Sequence, residues 1–296
     1  MKLGFYPGCS LEGSSREYNE SLCASASALG IELEAVPDWN CCGATAAHNL
    51  NHSLSLALPA RILALAQKAK MPELVVPCAA CFSRLKVTRH ELLENETLRE
   101  KIAGIIEMEL TPEIPQVINI IEMLEKYVMA DIDGKIKTPF KHNVACYYGC
   151  LLVRPHKILK FDRPEDPQSM DGIMKKIGAN PIDWAFKVEC CGAGFSVSRT
   201  DVVAKLSGQI IEDAVSRGAE AIVVACPMCH SNLDLRRKAI NDYNHKKYTI
   251  PAIYITQAIG LALGLDKKEL GLHRHIVPVK FPGNPGPGET QTQTEA

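Results

Sequence analysis

Ten of the twelve cysteines in this 296-residue chain occur in the same order twice. Cys9 is followed by the doublet Cys41-Cys42-Gly43 and then by Cys78-Ala79-Ala80-Cys81. Cys150 is followed by Cys190-Cys191-Gly192 and then by Cys226-Pro227-Met228-Cys229. The flanks repeat as well: Phe5-Tyr6-Pro7-Gly8-Cys9 matches Cys146-Tyr147-Tyr148-Gly149-Cys150, and Leu74-Val75-Val76-Pro77-Cys78 matches Ile222-Val223-Val224-Ala225-Cys226. Each matched pair is separated by nearly half the chain, so the pattern reads as a duplication.

Clustered cysteines can be disulfide staples, metal ligands or redox groups, and the compartment decides between them. The N-terminus, Met1 to Cys9, has one lysine and no apolar run of a secretory leader, so a reducing cytoplasm is expected. With 46% hydrophobic residues the chain has core enough to fold without staples. A net charge of −1 gives no electrostatic argument for nucleic acid or an anionic membrane surface. No apolar run of about eighteen residues is present, so no membrane span is expected.

Short apolar runs alternate with helical patterns, as in βαβ units. Strands are expected at 3–6, 31–36, 73–76, 143–148 and 221–225. Helices are expected from Ser14 or Ser15 to about Leu29, over 46–70 with a kink or split at Pro59, and over 168–177, 200–217, 231–241 and 253–263. The fold class is therefore α/β: two pseudo-symmetric Rossmann-like halves, each with a mostly parallel sheet. Domains are expected at 1–130 and 140–265, with a linker near 131–139 and a disordered tail over 282–296, which is rich in Pro, Gly, Thr and Gln. In this reading Cys9, Cys78, Cys150 and Cys226 lie at the carboxyl ends of strands, where α/β sheets build their sites. The doublets lie in loops before helices, whose N–H groups can face an anion.

Thiolates are soft ligands suited to iron–sulfur clusters or zinc. Zinc takes four ligands, whereas each half offers five. Adjacent cysteines point apart, which suits a multi-iron cluster better than one tetrahedral ion, and five also exceeds the four of a cubane. Zinc in one or both halves stays open at this point. Cys23 and Cys146 lack counterparts and are expected to be small buried hydrophobes. Gly43, Gly149 and Gly192 would allow close backbone approach to a ligand, or simply make turns.

The doubled pattern, with Tyr6-Pro7-Gly8-Cys9-Ser10 at its start, resembles the CCG-domain (cysteine-rich domain) proteins, in particular the branch containing the B-type component of heterodisulfide reductase, over about residues 1–265. The resemblance implies two noncubane [4Fe-4S] clusters, one held by Cys9, Cys41, Cys42, Cys78 and Cys81, the other by Cys150, Cys190, Cys191, Cys226 and Cys229. It implies two-electron cleavage of a small-molecule disulfide such as that of coenzyme M and coenzyme B, with each cluster taking one sulfur. Electrons would arrive from a small ferredoxin-like [4Fe-4S] subunit, fed by another that contains flavin. Related CCG subunits of succinate or fumarate, glycolate or lactate, and sulfur-oxidising enzymes form the alternative.

Anionic groups on such a substrate would be met by cations near the motifs. Arg84, His230, His48 and Arg199 are the candidates, alongside the expectation that most charged residues are solvated. The chain shows no ferredoxin-type cysteine run, flavin fingerprint or nicotinamide-binding glycine motif, so electrons are expected from a partner.

Overall fold

The computed structural model describes residues 1–44 and 47–281, except for the side chains of His48 and Asn49; the expected tail at 282–296 lies outside the described residues. The first half runs β1 (Lys2–Phe5), α1 (Gly8–Glu12), α2 (Arg16–Ala28), β2 (Glu32–Ala35), α3 (Ala47–Leu50), α4 (His52–Lys68), β3 (Glu73–Val75), α5 (Ala79–Glu94), α6 (Glu96–Ile106), β4 (Gln116–Ile118) and α7 (Ile120–Tyr127). The second runs β5 (Asn143–Tyr147), α8 (His156–Leu159), α9 (Ser169–Lys176), β6 (Asn180–Pro181), α10 (Thr200–Ser216), β7 (Ala221–Val224), α11 (Pro227–Leu233), α12 (Arg237–Asn244), β8 (Ala252–Tyr254) and α13 (Ile255–Ala262).

Each half builds one four-stranded, all-parallel sheet, in the orders β2-β1-β3-β4 and β6-β5-β7-β8. The identical orders confirm the two-half α/β reading. Central strands β3 and β7 are buried at every residue, as expected where helices cover both sheet faces. That burial explains why their sequences are near-continuous apolar runs rather than alternating ones.

Four local expectations are corrected, the first being the helix over 231–241, which is interrupted where α11 ends at Leu233 and α12 starts at Arg237. The helix after the first doublet breaks at Asn51, not at Pro59, which lies inside α4. Asn51 is extended, and its side chain accepts from Leu54 N at 3.1 Å, so it caps a fresh helix start. The segment read as one helix from Ile253 instead begins as strand β8, too short for its period to show. Cys23 is exposed on α2, with its thiol facing Asn19 Oδ1 at 3.6 Å, whereas Cys146 is buried in β5 as expected.

The halves meet through α2 and α13. Ser21 Oγ and Thr256 Oγ1 are 2.7 Å apart, and Ser25 Oγ donates to Thr256 O at 2.9 Å. Tyr18 stacks on Tyr254 with ring centroids 4.0 Å apart and planes 7° apart. At the rim, Arg274 makes a bidentate pair with Glu20 at 2.9 and 2.8 Å. A buried seam of this polarity needs every partner in place, which fixes how the halves face each other.

Candidate metal centre

Parallel strands aim their carboxyl ends in one direction, and the cysteines follow. Cys9 comes after β1, the Cys41-Cys42 doublet after β2, and Cys78 and Cys81 after β3; Cys150, Cys190-Cys191 and Cys226/Cys229 follow β5, β6 and β7 in the same way. Each CxxC opens a helix, with Cys78 at the N-cap of α5 and Cys226 at that of α11. Free N–H groups there favour anionic sulfur.

The sulfurs of each set converge. Cys42 Sγ lies 3.2 Å from Cys81 Sγ, and Cys191 Sγ lies 3.6 Å from Cys229 Sγ. Cys41 Sγ accepts from Gly43 N at 3.5 Å, and Cys190 Sγ accepts from Gly192 N at 3.3 Å. The two sets are neighbours: Tyr18 Oη lies 3.5 Å from Pro77 O and 3.3 Å from Ala225 O, the carbonyls before Cys78 and Cys226, and the Cys226 thiol pushes Cys78 up while Cys78 helps lower Cys226. Crowding polarises the sets. Contact with Cys41 and then with Cys81 pulls Cys42 down to about 3, while Cys150 pulls Cys190 down to about 6. Cys81 and Cys229 are pushed up, chiefly by their close contacts with Cys42 and Cys191. The CxxC cysteines are buried, whereas Cys9, Cys41 and Cys190 are exposed, so each set has a closed floor and an open side.

Two residues that sequence reasoning passed over hold the doublets. Tyr6 Oη donates to Asn40 O at 2.9 Å, and Tyr147 Oη donates to Glu189 O at 2.6 Å. Asn40 and Glu189 are the residues immediately before the doublets, so the same hydrogen bond is made twice. The shared Tyr-x-Gly-Cys spacing was the available signal. Tyr18, fully buried, is a third such residue: its hydroxyl lies 3.5 Å from Pro77 O and 3.3 Å from Ala225 O, the carbonyls preceding Cys78 and Cys226. No local pattern announces a contact between residues so far apart in the chain.

The donor set fits a polynuclear iron–sulfur group. In each half a doublet thiol meets a CxxC thiol, and glycine backbones crowd against the sulfurs. A Cβ at Gly149 (φ +70°) would meet Cys229 Sγ at 2.9 Å, and one at Gly8 (φ +68°) would meet Cys81 Sγ at 3.4 Å. A second cluster of ligand types, His230, Asp234 and His275, has ligand atoms within 4.8 Å of one another. Its groups are already engaged. Both Asp234 oxygens accept backbone N–H groups, from Ile276 at 2.8 Å and Val277 at 3.0 Å, and His230 Nε2 lies 3.1 Å from Ala252 O.

The four cationic candidates lie in different settings. Arg84, on α5, is half-buried and makes no ion pair among the described residues. Arg199 is exposed and paired with Asp201 at 2.9 and 2.7 Å. His230 is buried, stacks on Tyr254 and faces Glu17 Oε1 at 3.7 Å. The His48 side chain lies outside the described residues.

Comparison with known proteins follows the same two-part division. The cysteine-rich domain, CCG, matches residues 3–86 and 144–234. The 8-methylmenaquinol:fumarate reductase membrane anchor subunit of Wolinella succinogenes is 30% identical, over 93% of this chain and 97% of its own. The B component of the ferredoxin:CoB-CoM heterodisulfide reductase of Methanosarcina mazei is 28% identical, over 93% and 94%. A hypothetical protein from Helicobacter pylori, solved by crystallography, superposes with a TM-score of 0.78 at 14% identity; the match covers 94% of this chain and 52%, about half, of that one. Among the described residues no helix is long and apolar enough to cross a membrane.

Proposed function

Because the chain belongs to the CCG cysteine-rich domain family, we propose that it is the iron–sulfur subunit of a heterodisulfide reductase-type complex, cleaving a disulfide into two thiols. The observation that carries this reading is the apposition of two equivalent cysteine motifs, with Tyr18 Oη within 3.5 Å of both Pro77 O and Ala225 O, the carbonyls before Cys78 and Cys226. A disulfide has two ends, and its reduction is balanced as RSSR′ + 2e⁻ + 2H⁺ → RSH + R′SH. Two facing sites suit that stoichiometry. When bound, a noncubane [4Fe-4S] cluster in each half would supply one electron and a Lewis-acidic iron for one sulfur.

The chain's own residues do the rest. Cys9, Cys41, Cys42, Cys78 and Cys81 hold one group, and Cys150, Cys190, Cys191, Cys226 and Cys229 hold the other. Tyr6 and Tyr147 fix the doublets, and Tyr18 spans the gap between the two CxxC segments. Arg84, three residues after Cys81 on α5 and with no carboxylate partner among the described residues, is the first candidate to meet an anionic substrate group. His48, Arg199 and His230 are the further candidates. Domains at 1–130 and 140–265 would each carry one site. Electrons would come from a partner with ferredoxin-like clusters, in turn served by a flavin-containing one.

A second reading is favoured by the relative named as part of a fumarate reductase. There the same two centres would relay electrons between a quinol and a partner flavoprotein, with no disulfide bound. The two readings separate on one assay. Protein purified anaerobically with its partners is given the coenzyme M–coenzyme B disulfide, or a menaquinol analogue with fumarate. Thiol release supports disulfide cleavage; quinol-dependent fumarate reduction without thiol release overturns it in favour of the relay.

A further inference from the structure

The two thiol sets share a plan but not a set of hydrogen-bond donors. In the second half Asn232, fully buried on α11, donates from Nδ2 to Cys191 O at 2.9 Å and to Cys191 Sγ at 3.7 Å. Its orientation is fixed, because Oδ1 accepts from Ser196 Oγ at 2.8 Å. Ser196 is itself held by Arg236 Nη2, which donates to Ser196 O at 2.7 Å. A further donor, Ser207 Oγ, reaches Cys191 O at 3.1 Å. Asn232 lies three residues after Cys229, and the residue three after Cys81 is Arg84. Arg84 makes no hydrogen bond to a cysteine sulfur among the described residues, and the side-chain partners of Cys42 Sγ there are the thiols of Cys41 and Cys81.

We propose that Asn232 makes the two metal centres redox-inequivalent, by giving Cys191 Sγ an amide hydrogen bond that has no counterpart at Cys42 Sγ among the described residues. The inference rests on the iron–sulfur reading above. A thiolate ligand carries more negative charge when its cluster is reduced, so an N–H dipole aimed at it stabilises the reduced form more than the oxidised form. One electron taken up by the second-half centre is therefore held at a higher potential than the same centre would show without Asn232. The order in which two one-electron additions from the donor fill the pair then follows from the fold. Burial strengthens the effect, since no water competes for the sulfur.

The test is an anaerobic redox titration of the full chain, followed by paramagnetic resonance, after iron and sulfide have been measured. Asn232→Leu is expected to move one midpoint to more negative potential and leave the other in place. The signal that moves is to be the one altered by Cys190→Ser, which marks the second half. Ser196→Ala, which frees the amide without touching a cysteine contact, is expected to move the same midpoint in the same direction by less. It decides the matter if Asn232→Leu does not retain metal. Unmoved midpoints in iron-loaded variants, or equal movement of both, overturn this inference and leave the iron–sulfur reading standing. A wild-type chain without iron and sulfide overturns that reading instead.

Discussion

Gly149→Ala tests whether the backbone beside Cys229 is shaped around a metal-bound sulfur. Gly149 has φ +70°, so alanine there adopts a left-handed backbone at a cost of roughly 1–2 kcal/mol. Gly218, at φ +77° with nothing within 4 Å of its added Cβ, carries the same backbone penalty and no contact. The difference between the two variants isolates the 2.9 Å approach to Cys229 Sγ. Restoring an ordinary contact near 3.4 Å requires the sulfur to move by about 0.5 Å, beyond the tolerance of about 0.2 Å expected of metal–ligand distances. Both variants should therefore lose similar stability as metal-free protein, read by denaturant unfolding. If each half holds one of two similar groups, as proposed, Gly149→Ala alone should lose about half the iron and sulfide, from the second half. Gly8→Ala, whose Cβ would lie 3.4 Å from Cys81 Sγ, should lose far less. Full iron in Gly149→Ala, or equal loss in Gly218→Ala, would refute the reasoning.

Other expectations follow from the same structure. Asp171→Ala leaves the buried Lys187 ammonium, 3.2 Å from Asp171, with the more exposed Asp166 as its one remaining carboxylate partner among the described residues, and should cost about 3 kcal/mol in a denaturant titration. A loss well under 1 kcal/mol would show that Asp166 compensates. Tyr6→Phe and Tyr147→Phe each delete one hydrogen bond to the carbonyl before a doublet and should each cost about 1 kcal/mol in unfolding experiments. Unequal costs would argue against the equivalence of the two bonds. Burial pushes the Glu17 carboxyl up from its ordinary value of 4.5. The folded state then binds the proton more tightly than the unfolded chain, so this group's contribution to stability falls as pH rises above about 4.5 towards the raised value. Glu17→Gln should flatten that slope and be the more stable protein at neutral pH; an unchanged pH profile would remove Glu17 from the account.

The sequence was most informative where chemistry repeats. The ten cysteines, their strand-end placement and the α/β alternation could all be read because thiol spacing and apolar runs are local signals. Contacts between the halves could not. Tyr18 reaches Pro77 and Ala225 across a seam built by folding, and its place on α2 looks like that of any core aromatic. Asn51 outranked Pro59 as the helix breaker because an extended, side-chain-capped residue starts a new helix, whereas Pro59 is tolerated inside α4. Strand β8 has three residues and runs directly into α13, too short a stretch for a period of two to stand out. Cys23 departs from the usual interior preference of cysteine because its position on α2 falls on the solvent face. Tyr6 and Tyr147 were within reach, since the duplication aligns them, but their use depends on where the following loop returns.

The most direct test is metal and sulfide analysis of the anaerobically purified chain, combined with X-ray absorption at the iron edge. Roughly eight iron atoms per chain in sulfur-rich coordination, falling by about half when Cys41 and Cys42, or Cys190 and Cys191, are replaced by serine, is the predicted result. Zinc at one or two equivalents without labile sulfide, or iron that survives both pairs of replacements, would contradict it.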